Sequence, residues 1–245
     1  MSNNYLDFNS SHGKTEKINS STHPQHLKIA VLGKGVVGKT SIIFQITNKS
    51  KEFRDSYFPT IEDRYMYEYY CEEKKIELEI LDTAGEDDYH NMIDIWLLSS
   101  DCLLLVFSVE SRSSFDELNV IYERVRKVKG MDFPILLIGN KTDLPQREVD
   151  NIDGINKAKE WNADYLETSA KTGDNCDKIL KMIIPKAIEN KERFEQMTEG
   201  SGDFSNTRDS FLQNRGMSKL KFNIIFWTCF FLISGSIGII IWRCT

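Results

Sequence analysis

The 245-residue chain has no excess of basic charge: 31 Lys and Arg stand against 37 Asp and Glu, for a net of −6. A protein that grips nucleic acid through its phosphates needs the opposite balance, so a broad nonspecific nucleic-acid surface is excluded. The five cysteines, Cys71, Cys102, Cys176, Cys229 and Cys244, include no C-x-x-C pair. Scattered thiols of this kind fit neither a disulfide framework nor a zinc site, and they read as reduced cysteines in a cytosolic setting. Residues 1–26 lack an apolar run of seven or more, which excludes a secretory signal peptide. Rich in Ser, Asn and His, that segment reads as a disordered arm. No internal repeat is visible. A hydrophobic content of 40% excludes a polytopic membrane protein, and 28% charge with 11% aromatics excludes a wholly disordered chain.

What is there begins abruptly at Leu27 with the apolar stretch LKIAVLG. Strand-like runs at 27–32, 65–71, 76–81, 102–108, 135–139 and 164–167 alternate with helical spacing at 39–48, 89–98, 114–129, 155–161 and 174–190. Phe115, Leu118, Val125 and Val128, for example, recur at helical intervals. This rhythm predicts an α/β domain over 27–190 with a parallel sheet and crossover helices. Between 65 and 81 there is no room for a helix, so that strand pair should be antiparallel, giving a mixed, mostly parallel six-stranded sheet.

Beyond 190 the composition turns polar and glycine-containing, and 191–221 reads as a flexible linker. Residues 222–242, FNIIFWTCFFLISGSIGIIIW, then carry no charge. At about 1.5 Å per residue they would span about 31 Å as a helix, which matches the hydrocarbon core of a bilayer. Arg215, Lys219 and Lys221 precede the run, with no acid after Asp209, so the large N-terminal part should face the cytosol. The expectation is a single C-terminal transmembrane helix inserted after translation. A long apolar run followed by one basic residue leans towards the endoplasmic reticulum or secretory pathway over the mitochondrial outer membrane.

Two motifs carry chemistry. Gly33-Lys34-Gly35-Val36-Val37-Gly38-Lys39-Thr40 fits G-x-x-x-x-G-K-[ST] between a strand and a helix. Its glycines let backbone N–H groups turn around phosphate oxygens, and the helix adds the positive end of its dipole. Lys39 would bridge the β- and γ-phosphates, and Thr40 would offer its hydroxyl to Mg2+. The candidate phosphate-binding residues are thus Gly33, Gly35, Val36, Val37, Gly38, Lys39, Thr40 and the adjoining Ser41. The second motif, Asn140-Lys141-Thr142-Asp143, follows the apolar strand 135–139. Asp143 can accept hydrogen bonds from N1–H and the exocyclic amine of guanine, a pattern that adenine lacks. The nucleotide is therefore expected to be GTP or GDP.

With these motifs in view, the sequence resembles the Ras-like small GTPases over about 27–190. It shares the further signatures Tyr57-Phe58-Pro59-Thr60-Ile61-Glu62-Asp63, Asp82-Thr83-Ala84-Gly85 and Glu167-Thr168-Ser169-Ala170-Lys171. The resemblance implies a three-layer P-loop GTPase fold with helices on both faces of the sheet. It also implies that Thr60 is a second Mg2+ hydroxyl, that Asp82 holds the metal through water, and that Gly85 meets the γ-phosphate through its N–H. Ser169, Ala170 and Lys171 would border the guanine and Phe53 would lie across it. The metal residues would be Thr40, Thr60 and Asp82, the catalytic ones Lys39, Thr60, Gly85 and Glu86. Effectors, exchange factors and GTPase-activating proteins are the implied partners, along with the membrane.

Three departures qualify the resemblance. Glu86 stands where the family has a water-orienting glutamine, and a carboxylate cannot donate a hydrogen bond to the γ-phosphate unless protonated. A GTP-loaded scaffold with negligible hydrolysis is therefore the alternative reading; a P-loop kinase using ATP would leave Asn140–Asp143 unexplained. The first switch carries Phe58 where Ras has an acid and Arg64 where it has a small polar residue. No cysteine stands four residues from the terminus, where Trp242 is found, so prenylation is not expected.

Overall fold

The structure is a computed structural model and describes residues 25–47, 60, 62–71, 74–85 and 92–199. The alternation read from the sequence is present: β1 (Gln25–Leu32), α1 (Lys39–Thr47), β2 (Glu62–Cys71), β3 (Lys74–Thr83), α2 (Ile93–Ser99), β4 (Cys102–Ser108), α3 (Arg112–Lys129), β5 (Ile135–Asn140), α4 (Asn151–Glu160), β6 (Asp164–Glu167) and α5 (Cys176–Glu199). The strands form one six-stranded sheet in the order β2-β3-β1-β4-β5-β6. β2 runs antiparallel to β3, because the two residues between Cys71 and Lys74 cannot form a crossover helix. The other neighbouring pairs are parallel.

Period-two alternation in the strands divides the apolar residues between two cores. Ile29, Val31, Leu78, Ile80, Val106 and Ile138 pack with residues of α1 and α5. Ala30, Leu32, Leu103, Leu105, Phe107 and Leu137 pack with residues of α2, α3 and α4. The result is three layers. β4 and β5 are buried at every position, which is why their sequences are continuous aliphatic runs. β2 is an edge strand and alternates instead: Tyr65, Tyr67 and Tyr69 pack against the first core, while Met66 and Tyr70 are exposed.

Several element ends differ from the sequence reading: β2 starts at Glu62 rather than 65 and β3 covers Lys74–Thr83 rather than 76–81, and three further differences concern α4, α5 and β1. α4 starts at Asn151, four residues before the predicted 155, with Asp150 extended at its N-cap. α5 continues to Glu199, into the segment read as a linker. Lys191 Nζ donates to the His26 carbonyl at 2.8 Å and Asn190 Nδ2 to the Asp132 carbonyl at 3.1 Å, which fastens this stretch to the sheet end. Pro185 removes one ladder hydrogen bond without ending α5, because Ile183, Ile184 and Ala187 around it are fully buried. β1 begins at Gln25, inside the predicted arm. Phe53, Phe58, Glu86 and residues 222–242 lie outside the described residues, and among the described residues no helix is long and apolar enough to cross a membrane.

Candidate functional site

β1 pairs with β3 on one side and β4 on the other, so the chain leaves the centre of the sheet in both directions from β1. In open α/β sheets, ligands bind beyond the carboxyl ends of the strands at such a switch point. Four loops converge there. They follow β1 (33–38), β3 (84–85), β5 (141–143) and β6 (168–171).

The loop after β1 turns sharply. Gly33 and Gly38 have φ of 149° and 97°, and between them Val36 adopts φ 66°, a left-handed conformation that is strained for a β-branched residue. Its side chain is exposed, while Val37 beside it is buried. The Ile42 N–H bonds to the Gly38 carbonyl at 3.0 Å, so α1 opens directly from the loop. Lys39 folds back over the turn, donating to the Gly33 and Lys34 carbonyls at 3.0 Å each. Burial lowers its ammonium to about 8, opposed by the charges of Asp82 and Glu117. A buried cation beside inward-turned backbone is suited to the oxyanions of a polyphosphate. Ser41, on the first turn of α1, is half-buried. Gly85 lies so close to this loop that a Cβ on it would strike the Gly35 nitrogen and Lys39 Nζ.

The predicted metal residues come together. Thr40 Oγ1 donates to Asp82 Oδ2 at 2.6 Å and lies 3.3 Å from Thr60 Oγ1. Asp82 is fully buried at the end of β3, and its other oxygen, Oδ1, has no hydrogen-bond partner among the described residues. Burial pushes its carboxyl up to about 6, against the pull of Thr40 and Lys39. Two hydroxyls and a carboxylate with a spare buried oxygen form a hard-oxygen set that fits Mg2+, which prefers few protein oxygens and retained water.

At the other end, Asn140 ties three loops together. Its Nδ2 donates to the Val37 carbonyl at 2.8 Å; its Oδ1 accepts from the Ala170 N–H at 3.0 Å and from Thr168 Oγ1 at 3.2 Å. The asparagine thus positions the phosphate loop against the loop that carries Ser169 and Ala170. Asp143 is exposed, and its Oδ1 accepts from Ser169 Oγ at 2.6 Å, which aims the carboxylate. Lys141 has φ 68° and its Nζ lies 2.5 Å from Glu110 Oε1. Lys171 is exposed.

Some members of the site are not legible in any motif. Gln45 of α1 donates to the Ala170 carbonyl at 2.8 Å. Trp96 of α2 donates its indole N–H to Glu62 Oε2 at 2.8 Å. That hydrogen bond, together with Arg64, holds the Glu62 carboxyl below the usual carboxylate range. Arg64 in turn reaches Glu79 at 2.9 Å. The sequence signals for this group are Glu62, within the 57–63 signature, and the unusual Arg64; Trp96 has none.

A phosphate loop with a buried lysine, a hard-oxygen cluster and an aimed carboxylate, all at one switch point, define a P-loop nucleotide-binding protein. Residues 28–189 match the Ras family. Ras-like protein 1 of Saccharomyces cerevisiae is 38% identical over 187 residues, covering 76% of this chain and 60% of that protein's length. Ras-like protein rasB of Dictyostelium discoideum is 42% identical over 159 residues, 64% of this chain and 80% of that protein. GTP-binding protein Di-Ras1 of Homo sapiens is 36% identical over 159 residues, 64% and 79% of the two chains. The chain belongs to the Ras family. Its members are small GTPases that bind GTP and GDP with Mg2+ and hydrolyse GTP.

Proposed function

We propose that the chain is a membrane-held guanine-nucleotide switch whose two loops, about residues 53–65 and 84–96, are ordered by the γ-phosphate and relax on hydrolysis. The observation that carries this reading is the gathering of Thr40, Thr60 and Asp82 around an unpartnered carboxylate oxygen. When bound there, Mg2+ supplies neutralisation of the charge that builds on the β- and γ-phosphate oxygens. The chain's own groups do the rest. Lys39 places its cation on the same phosphates, and the N–H groups of 33–40 fix their orientation. Thr60 ties the first loop to the metal site, and Gly85 brings the second against the phosphate loop. Asp143 selects guanine through its two donors.

Glu86 would face the attacking water as an acceptor, which leaves the γ-phosphate without the donor that an amide provides. Hydrolysis by the chain alone should then be slow, with a GTP-loaded scaffold as the limiting case, and an activating protein would supply an arginine. Effectors would read the ordered loops, and exchange factors would reset them. The charge-free run at 222–242 supports a single spanning helix with the GTPase domain in the cytosol, the endoplasmic reticulum or secretory pathway being the membrane that its length and flanks suit. The test is made on the full chain expressed in cells. It should stay with carbonate-washed membranes and yield GDP or GTP when isolated in Mg2+. A chain washed into the soluble fraction refutes the anchor, and one that holds ATP or no nucleotide refutes the switch.

A further inference from the structure

The two loops of the switch approach the phosphate from different parts of the chain, and one hydrogen bond joins their flanks. β2 begins at Glu62, opposite Thr83 of β3, so Thr60 lies just beyond the point where the strand ladder starts. Besides its ladder pairing, Glu62 is gripped by its side chain. Oε2 accepts the Trp96 indole N–H at 2.8 Å, and Oε1 accepts Arg64 Nη2 at 3.0 Å. Arg64 is itself anchored on Glu79 at 2.9 Å, and Glu79 on Lys28 of β1 at 3.1 Å. Trp96, a residue of α2, is 2% exposed and belongs to the second core, so it cannot move without moving α2.

We propose that Trp96 is a positioning residue for Thr60: its indole N–H, delivered by α2, holds Glu62 and so keeps the Thr60 hydroxyl at the metal site. An indole N–H can only donate, and a buried donor left without an acceptor is costly. Release of the first loop therefore strands the indole unless α2 also shifts, and a shift of α2 deprives Glu62 of its partner. The two loops respond to the γ-phosphate together because each flank holds one half of this bond. The proposal rests on the nucleotide-switch reading and adds to it a residue that no nucleotide-binding motif includes.

The test uses the full-length chain and fluorescent N-methylanthraniloyl forms of GDP and of a non-hydrolysable GTP analogue, with release followed in Mg2+ and in EDTA. Trp96→Phe keeps an aromatic ring in the core and removes the donor. In Mg2+ it should speed release of the GTP analogue about five- to tenfold, the effect of losing one buried hydrogen bond to a charged group, with GDP release changed less than about twofold. The difference should disappear in EDTA. In a Thr60→Ala background the Trp96→Phe change should add nothing. Glu62→Ala leaves the core intact and should reproduce Trp96→Phe, so a variant that fails to fold does not decide the matter. Equal acceleration of both nucleotides, or an effect that survives EDTA or Thr60→Ala, overturns the positioning role and leaves the switch intact. A wild-type chain that retains neither nucleotide overturns the switch, and this inference with it.

Discussion

Replacing Asp82 with asparagine should stabilise the nucleotide-free chain while destroying its hold on Mg2+. The carboxyl is fully buried, with one oxygen satisfied by Thr40 and the other by no described residue. Burial pushes it from 3.8 up to about 6. A carboxyl whose folded value lies above its unfolded one binds its proton more tightly in the fold, so stability falls as pH rises through that window. Above pH 6 the cost levels off at about 3 kcal/mol, at 1.36 kcal/mol for each pH unit of displacement. Asparagine removes that charge but buries an amide donor where Oδ1 stood, returning about 1–2 kcal/mol. The net gain is about 1–2 kcal/mol at pH 7.5, vanishing near pH 4.5, where Asp82 is largely protonated in the fold. Urea denaturation of wild type and Asp82→Asn in EDTA at the two pH values reads this directly, and GDP retention in Mg2+ reads the lost metal site. A variant less stable than wild type at pH 7.5, or stabilised equally at both pH values, would refute the reasoning.

Val36 stands at φ 66°, so Val36→Gly should raise stability in urea by about 1 kcal/mol, the relief of left-handed strain less the backbone entropy that glycine adds to the unfolded chain. A loss of stability would show the turn to be unstrained. Glu86→Gln restores a donor towards the γ-phosphate and should speed single-turnover GTP hydrolysis about 10- to 100-fold. An unchanged rate would mean that residue 86 does not limit the reaction and would remove the ground for a scaffold role.

The sheet was largely legible in the sequence because burial on both faces leaves a compositional trace. β4 and β6 have the predicted limits, and β5 gains Asn140 at its end. The antiparallel β2–β3 pair followed from chain length alone. The start of α4 was missed because Gly154 weakens its helical pattern, and the structure supplies the reason for that glycine: a Cβ there would collide with the Tyr165 ring. The last turns of α5 are hard to read because positions 192–197 are exposed and offer only Phe194 and Met197 among polar and charged residues. In the site, motif residues were found by spacing, since the phosphate loop is local. The supports were not. Gln45 reaches Ala170 across 125 positions and Trp96 reaches Glu62 across 34, and no short pattern records such pairs. Nor does N-K-x-D announce that Asn140 spends its amide on the protein.

The commitment of the Asn140 amide bears on how the chain reads its ligand. Both ends of the Asn140 amide are committed to neighbouring loops, one to the turn that meets phosphate and the other to the turn that meets guanine. Each turn is thereby braced against the other. Recognition of the base and recognition of the phosphates should therefore be coupled within a single ligand rather than simply additive. Guanosine without phosphates, or pyrophosphate without a base, engages only one of the two joined turns and should bind far more weakly than the whole nucleotide.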